Sequence, residues 1–458
     1  MSSKLPNHLL HPIPKTYFAV HRLPLLLLIF CIMLALNACW GSRDDAAQQS
    51  DLPVDQQSSS QSESNGASEQ SDEQIVEATP IPTATPIPLS GDLVLWHSWS
   101  GADAEALEKV LATTLLAYPE LTINTLFVAY NNLAQGYAEA VQNGSGPDLV
   151  LMPNWWLGDL AAAGVIAPID ALLPPRALDP YWPETVKNLR RSNQLYGIPA
   201  YFEVISLFYN QRLIDNALLP GTTTELLALP QQNPSFGVGL YNSLYFLYWG
   251  IPAYGGQLIG ADGTILLDQN DGTANFLNWL VQINQRSGSY VDTDYGMLVD
   301  RFKKGEFAFF VDGPWSIPEL RGALGNDLGV MLLPAGPTGP ARPWMSTEGF
   351  LFNPNSSQQN KMMAVQLALR LTNAENGTVL AQQASRLPAN QWASINGDPL
   401  LEGFRRQAGT AHAMPNAAEM AEVWGYGGDM LIKVLNGVAD PSTTVIETAA
   451  LINEANQK

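Results

Sequence analysis

The sequence predicts an α/β fold with parallel sheets, in two units of the same class. Two observations carry this. From Gly91 onward, short apolar runs of strand length alternate with longer segments of helical spacing, which is the pattern of βαβ units. A second series of the same kind begins near Ile259, so one sheet does not account for the chain.

Taken in order, Asp92–Trp96 reads as the first strand and His97–Gly101 as the loop after it. Ala106, Leu107, Val110, Leu111 and Leu115 then recur at helical spacing, and Pro119 stops that helix after Tyr118. Leu121–Val128 is a strand, Asn131 is placed to cap a helix running to Gln142, Pro147–Met152 is a strand, and 155–163 is a helix. In such sheets ligands sit beyond the carboxyl ends of the strands. The loops there are His97–Gly101 and Pro153–Trp156, both Trp-bearing. In the second series, Ile259–Ile265 reads as a hairpin on an Asp-Gly turn. Asn275–Gln285, Met362–Leu371 and Ala417–Leu435 read as helices, and Glu306–Val311 and Gly329–Leu333 as strands.

The first ninety residues read differently. Residues 1–38 hold Lys4, Lys15 and Arg22 and no acid, and Leu23–Leu36 is apolar. About 14 residues is short for a transmembrane span, which needs about 20, and suits a signal peptide. The run ends in Leu36-Asn37-Ala38-Cys39, which resembles the bacterial lipobox, so Cys39 is expected to carry lipid and to become the N-terminus. Residues 39–90 are rich in Ser, Gln, Asp and Glu and then in Pro and Thr, a composition that reads as a disordered tether. The location expected is the outer face of the cell membrane, facing a periplasm or the cell surface.

Composition excludes several classes. The chain has 458 residues, 23 Lys+Arg against 43 Asp+Glu, and a formal charge of −20, which argues against a nucleic-acid partner. Beyond residue 90 the balance is −15, from 19 basic and 34 acidic residues, which disfavours an anionic solute. Of the two Cys, Cys31 lies in the leader, so neither a disulfide framework nor a Cys-rich zinc site is available. Only His97 and His412 follow the leader, and no metal or cofactor is expected. Asp268-Gln-Asn-Asp-Gly272 loosely resembles a calcium loop, but its twelfth position is Trp279 rather than Glu; it reads better as the cap of a helix near Thr273. Charged residues make up 14%, against a usual ~25%, while twelve Trp are present.

Several segments together resemble the extracellular solute-binding proteins of ABC importers, in the maltodextrin-binding branch. They are Leu93-Val-Leu-Trp-His-Ser-Trp99; Gly146-Pro-Asp-Leu-Val150 with Ala162-Ala-Gly-Val-Ile-Ala-Pro-Ile-Asp170; Tyr196-Gly-Ile-Pro199 with Glu203 and Leu207-Phe-Tyr-Asn210; Asp292-Thr-Asp-Tyr295; Phe302-Lys-Lys-Gly-Glu306; Asp312-Gly-Pro-Trp315; Val330-Met-Leu-Leu-Pro334; and Met414-Pro-Asn416 leading to Val423-Trp424. The resemblance covers nearly all of 91–458. It implies a two-lobed periplasmic-binding-protein-like fold, a hinge of three crossovers and a ligand cleft between the lobes. Lobe 1 would take 91–200 and 346–400, and lobe 2 would take 201–345 and 401–458. The crossovers would fall near Pro199–Glu203, Met345–Gly349 and Pro399–His412. It further implies a monomer that closes on a sugar and docks on ABC permease subunits, without catalysis.

The resemblance puts Trp315, Trp424 and Tyr245 where the family stacks sugar rings, and Glu203 where it accepts sugar hydroxyls. Two loops depart from the family. Trp155 and Trp156, after Asn154, stand where maltose binders offer an acid and an arginine. His97, Ser98 and Trp99 fill a first loop that ordinarily offers an amide, an acid and a lysine. Rings and hydroxyls in place of charged clamps point to a neutral solute with apolar faces, a disaccharide or oligosaccharide. Two alternatives remain at this stage. A sensor or adhesion lipoprotein could use the same fold. A surface glycoside hydrolase would need two carboxylates roughly 5–10 Å apart, for which Glu203 and Glu348 are the candidates.

Overall fold

The structure is a computed structural model that describes residues 89–458. The leader, Cys39 and the tether lie outside the described residues. Fourteen strands are named here in chain order: β1 Gly91–His97, β2 Leu121–Phe127, β3 Leu149–Pro153, β4 Arg190–Arg191, β5 Gln194–Leu195, β6 Gly197–Val204 and β7 Ser206–Asn210. They continue with β8 Val238–Tyr241, β9 Tyr290–Asp292, β10 Phe309–Asp312, β11 Leu328–Met331, β12 Trp344–Phe352, β13 Leu387–Pro388 and β14 His412–Ala413.

The first unit follows the expected βαβ logic. In β1, Leu93, Leu95 and His97 are buried and their neighbours are less so, the alternation of a strand with one face inward. Helix Ala102–Ala117 covers the sheet with Ala106, Leu107, Val110 and Leu111. β1 then pairs in parallel with β2 on one side and β3 on the other. The helix after β2 spans Tyr130–Gln142; its N-cap is Ala129, with no side-chain cap, so Asn131 lies inside the helix and does not cap it. The sheet order is β13-β6-β12-β3-β1-β2, with β14 on β12. It is not purely parallel: β12 runs antiparallel to both β3 and β6.

The second sheet has the order β11-β7-β10-β8-β9. Here β8 pairs in parallel with β9 and β10, while β7 runs antiparallel to β10 and β11. Helix Gly272–Asn284 starts a turn earlier than read, with the Asn270 side chain accepting from Gly272 N at 2.8 Å. The hairpin at 259–265 is reduced to one bridge between Ile259 and Ile265. Each sheet has its own apolar core, one around Leu93, Leu149 and Leu351, the other around Leu240, Trp249 and Phe309.

Three chain passages join the sheets. β6 stays in the first sheet through Val204, and β7 begins the second at Ser206. β12 returns the chain at Trp344, and after helix Pro399–Ala408 the third passage pairs β14 with β12. The lobe boundaries expected at 200 and 345 therefore fall inside β6 and β12. The Met-Pro-Asn segment secures the third passage: Asn416 Nδ2 donates to the carbonyls of Asn188 (2.9 Å) and Arg190 (3.0 Å), and Arg191 Nη1 donates to the Asn416 carbonyl at 2.9 Å. Gly158 makes room, since a Cβ there would lie 2.6 Å from that carbonyl oxygen.

Candidate ligand-binding site

The site is built on the antiparallel pair β6 and β12. Period two sorts its residues onto opposite faces. Phe202, Val204 and Met345 point into an apolar cluster with Phe208 and Phe404. Tyr201 and Glu203 on β6 and Trp344, Ser346 and Glu348 on β12 share the other face, with Tyr201 opposite Glu348 and Glu203 opposite Ser346. The two glutamates are thus diagonal neighbours, a relationship that puts Cβ atoms about 7–8 Å apart or less. The register passes from Tyr201 opposite Glu348 to Pro199 opposite Gly349, so Ala200 is an extra residue that bulges and bends β6 there.

Both acids are engaged by protein donors. Glu348 Oε2 accepts from the Tyr201 hydroxyl and from Trp99 Nε1, the latter at 3.1 Å. Burial pushes the Glu348 carboxyl up to about 7. Glu203 is paired with Arg386. Its pKa is raised because burial outweighs the pull of Arg386. Arg386 also grips Asp103 in a fork, Nε to Oδ1 at 2.9 Å and Nη2 to Oδ2 at 2.8 Å, and its guanidinium lies 4.9 Å from the Tyr201 ring centroid.

On the first-sheet side, the structure separates the expected residues. Trp155 is 36% exposed and Trp156 is half-buried, its ring 4.8 Å from that of Tyr130. Tyr130 is itself 39% exposed, and its pKa is raised by burial of the hydroxyl, with Glu348 and Glu203 pushing the same way. These rings form one aromatic rim at the carboxyl ends of β2 and β3. Ser98 is partly exposed in the loop after β1.

Three of the expected residues are buried against other parts of the protein. Trp99 is buried in the first core, tilted 5.4 Å from Tyr201, and its N–H is used on Glu348. Asn154 has no exposed surface; its Oδ1 accepts from Thr347 N at 2.9 Å and its Nδ2 donates to the Met414 carbonyl at 3.4 Å. It fastens the loop after β3 to the joining strands. His97 is buried with its edge against Phe127, and burial lowers its pKa, so the ring is neutral at pH 7. None of the three offers a ligand an open face.

On the second-sheet side, Tyr245, Phe246 and Trp315 form one aromatic group, with Trp315 centred 6.4 Å from Tyr245 and 6.0 Å from Phe246. Burial raises the Tyr245 pKa, and the Glu203 and Asp312 charges add to it. Trp424 is half-buried and meets Trp344 edge to face at 5.4 Å; Trp344 is stacked on Tyr248 at 4.0 Å and 14°. Sequence reasoning missed Tyr201, Trp344 and Arg386, which join the site only through strand register and long-range pairing. It also passed over Tyr130, although an aromatic residue just beyond a strand end was a usable signal.

The family model described as bacterial extracellular solute-binding protein matches residues 117–398. The chain belongs to this family. Among its curated relatives is the maltotriose-binding protein of Pyrococcus abyssi, 25% identical over 374 residues, covering 78% of this chain and 80% of that protein. Another is the maltooligosaccharide ABC transporter solute-binding lipoprotein of Streptococcus pneumoniae strain R6, 23% identical over 342 residues, covering 68% and 77%. Among solved structures, a cyclo/maltodextrin-binding protein complexed with maltotetraose superposes with a TM-score of 0.72 at 22% identity, covering 80% of this chain and 97% of that one. The two sheets of this solute-binding protein are therefore the two lobes of the periplasmic-binding fold, and β6 and β12 lie where the chain passes between them. The relatives are binding proteins rather than enzymes.

Proposed function

We propose that this solute-binding protein captures a neutral oligosaccharide between its lobes and delivers it to the membrane subunits of an ABC importer. The observation that carries the reading is the pairing of two partly exposed aromatic sets with an acid-bearing strand pair. Tyr130, Trp155 and Trp156 belong to one lobe, Tyr245, Trp315 and Trp424 to the other, and Glu203 and Ser346 lie on the strands that join them. Aromatic faces suit the C–H faces of pyranose rings, and carboxylate and hydroxyl groups suit their edges. A ligand drives closure only by binding the closed form better, and contacts from both lobes supply that difference. The sugars named for the relatives make a maltooligosaccharide the first candidate.

The protein acts without breaking a bond. The relatives named are binding proteins, and here Glu348 is engaged by Tyr201 and Trp99 and Glu203 by Arg386. Lipid on Cys39 and the 39–90 tether would hold the binding lobes at the outer face of the membrane.

Titration calorimetry with maltotriose tests this. Trp315→Ala and Trp424→Ala should each weaken binding by ~1–3 kcal/mol. Sugar at a hundredfold excess over Kd should stabilise the fold by about 2.7 kcal/mol. A panel of neutral oligosaccharides that leaves the melting temperature unmoved would overturn the choice of solute. Release of sugar monomers by the pure protein would overturn the non-catalytic reading.

A further inference from the structure

The Asp-Gly-Pro-Trp turn follows β10, and its Trp is held by more than packing. Trp315 Nε1 donates to the Tyr295 hydroxyl oxygen at 3.3 Å. Tyr295 donates onward to Asp312 Oδ2 at 2.8 Å. Asp312 is wholly buried, and its other oxygen, Oδ1, accepts from Gly313 N at 2.8 Å. Below the ring, Gly313 forms a seat: a Cβ at that position would lie 2.1 Å from two atoms of the benzo ring. Ser316 Oγ closes the turn on the Gly313 carbonyl at 2.8 Å. Tyr295 opens helix Tyr295–Lys303, and its own ring is wedged among Tyr241, Phe246 and Phe310, at 5.5, 6.1 and 6.4 Å.

The direction of this chain of hydrogen bonds is fixed by chemistry. An indole N–H can only donate, so the Tyr295 oxygen facing it accepts. The phenol then places its own proton on Asp312 Oδ2. That leaves no freedom in the hydroxyl rotor and one orientation of the indole that satisfies both ends. A stacking residue is useful in proportion to how little orientation it loses when the ligand arrives, because ordering a side chain on binding costs affinity.

We propose that Asp312 and Tyr295 are positioning residues that hold the Trp315 ring in its sugar-stacking plane before ligand enters. This deepens the sugar-capture reading and rests on it. Asp312 and Tyr295 act through the ring: Asp312 orients the Tyr295 hydroxyl, and that hydroxyl orients the indole. The pair also explains why an acid stands directly before Gly-Pro-Trp. An amide at 312 could accept from only one of its two donors and would turn an N–H toward the other.

The test uses the full chain labelled with 5-fluorotryptophan, with the Trp315 fluorine signal assigned by its absence in Trp315→Phe. Tyr295→Phe removes one oxygen and keeps the ring, so its packing is preserved. We expect the Trp315 signal to shift and broaden in Tyr295→Phe while the other Trp signals stay in place, and indole N–H exchange at Trp315 to accelerate at least fivefold. Maltotriose affinity should fall about three- to tenfold with unchanged stoichiometry. Asp312→Asn should disturb the same single signal. A Trp315 signal and exchange rate unchanged in Tyr295→Phe would overturn the positioning role, whatever the sugar data show. If the wild type binds no oligosaccharide but the fluorine signal responds as expected, the ring-holding chain stands and the sugar reading fails.

Discussion

Trp99 donates its indole N–H to the Glu348 carboxylate at 3.1 Å, across 249 residues of sequence. The bond ties the loop after β1 to the centre of β12, the strand that returns the chain to the first sheet. It also changes the role of the Trp: a ring that the loop position assigns to ligand is used to hold the joining strands. The Tyr201 hydroxyl donates to the same oxygen. Glu348 is thus surrounded by donors yet buried enough that its neutral form is favoured up to about pH 7.

This predicts a specific pH dependence. Below about pH 4.5 the carboxyl is protonated in both folded and unfolded chains, and burial costs nothing. As pH rises from there to about 7, the unfolded chain releases the proton while the folded chain keeps it, so stability falls; above 7 the loss is constant. Asp312, also raised to about 7 by burial, acts in the same sense. Buried His97 and half-buried His412 have lowered pKa values and act in the opposite sense, losing stability as pH drops below 6.5. The clean comparison is therefore wild type against Glu348→Gln, which can keep both donors on its oxygen. Urea unfolding should show the variant gaining about 2–3 kcal/mol relative to wild type between pH 4.5 and pH 8. An identical difference at the two pH values would sink the assignment.

What the sequence disclosed follows the range of the interactions. Period and punctuation are local, so β1, the helix ending at Pro119 and the Asp-Gly turn at 262–263 were legible. What pairs across the chain was not. Nothing near Arg386 announces Asp103, 283 residues away, and nothing near Asn154 announces Thr347. The same limit applies at Trp99 and Asn154: both stand at strand ends, and partners from the returning strand β12 hold their side chains. Asn131 failed as a cap for a local reason, because the helix had already begun at Tyr130.

Arg386 gives a second prediction. It joins Asp103, at the start of helix Ala102–Ala117, to Glu203 on β6, with the three side chains only about one-fifth exposed. Removing it leaves two acids facing each other in a largely buried place, and such losses are strongly destabilising. Arg386→Ala should cost about 2–3 kcal/mol in urea unfolding at pH 7. Arg386→Lys should recover less than half of that, because an ammonium cannot reproduce the fork to Asp103. Full recovery by lysine would show that charge alone, not geometry, holds the three together.

The Trp344–Trp424 pair separates folding from binding. Trp344 is 1% exposed and stacked on Tyr248, so Trp344→Ala empties a core position and should cost about 3–5 kcal/mol of stability. Trp424 meets it edge to face but stays half-buried on helix Met420–Leu435. Trp424→Ala should cost under about 2 kcal/mol of stability while weakening maltotriose by ~1–3 kcal/mol. Thermal melts and calorimetry on the two variants distinguish these roles. If Trp424→Ala loses stability like its neighbour and binds sugar as before, Trp424 is a core residue.

Asn154 separates a fold-holding role from a ligand contact in the loop after β3. Its oxygen accepts from Thr347 N on β12, and its amide nitrogen reaches the Met414 carbonyl in the third passage between the lobes. Asn154→Ala leaves two buried backbone groups without a partner, a loss of about 1–3 kcal/mol. Trp155 and Trp156 stay in the same turn, so maltotriose affinity should change by less than about threefold once measured well below the melting temperature. Asn154→Asp should be no better than alanine, since a carboxylate accepts from Thr347 but repels the Met414 carbonyl. The opposite pattern, stability retained and affinity lost a hundredfold, would return Asn154 to the ligand's own contacts.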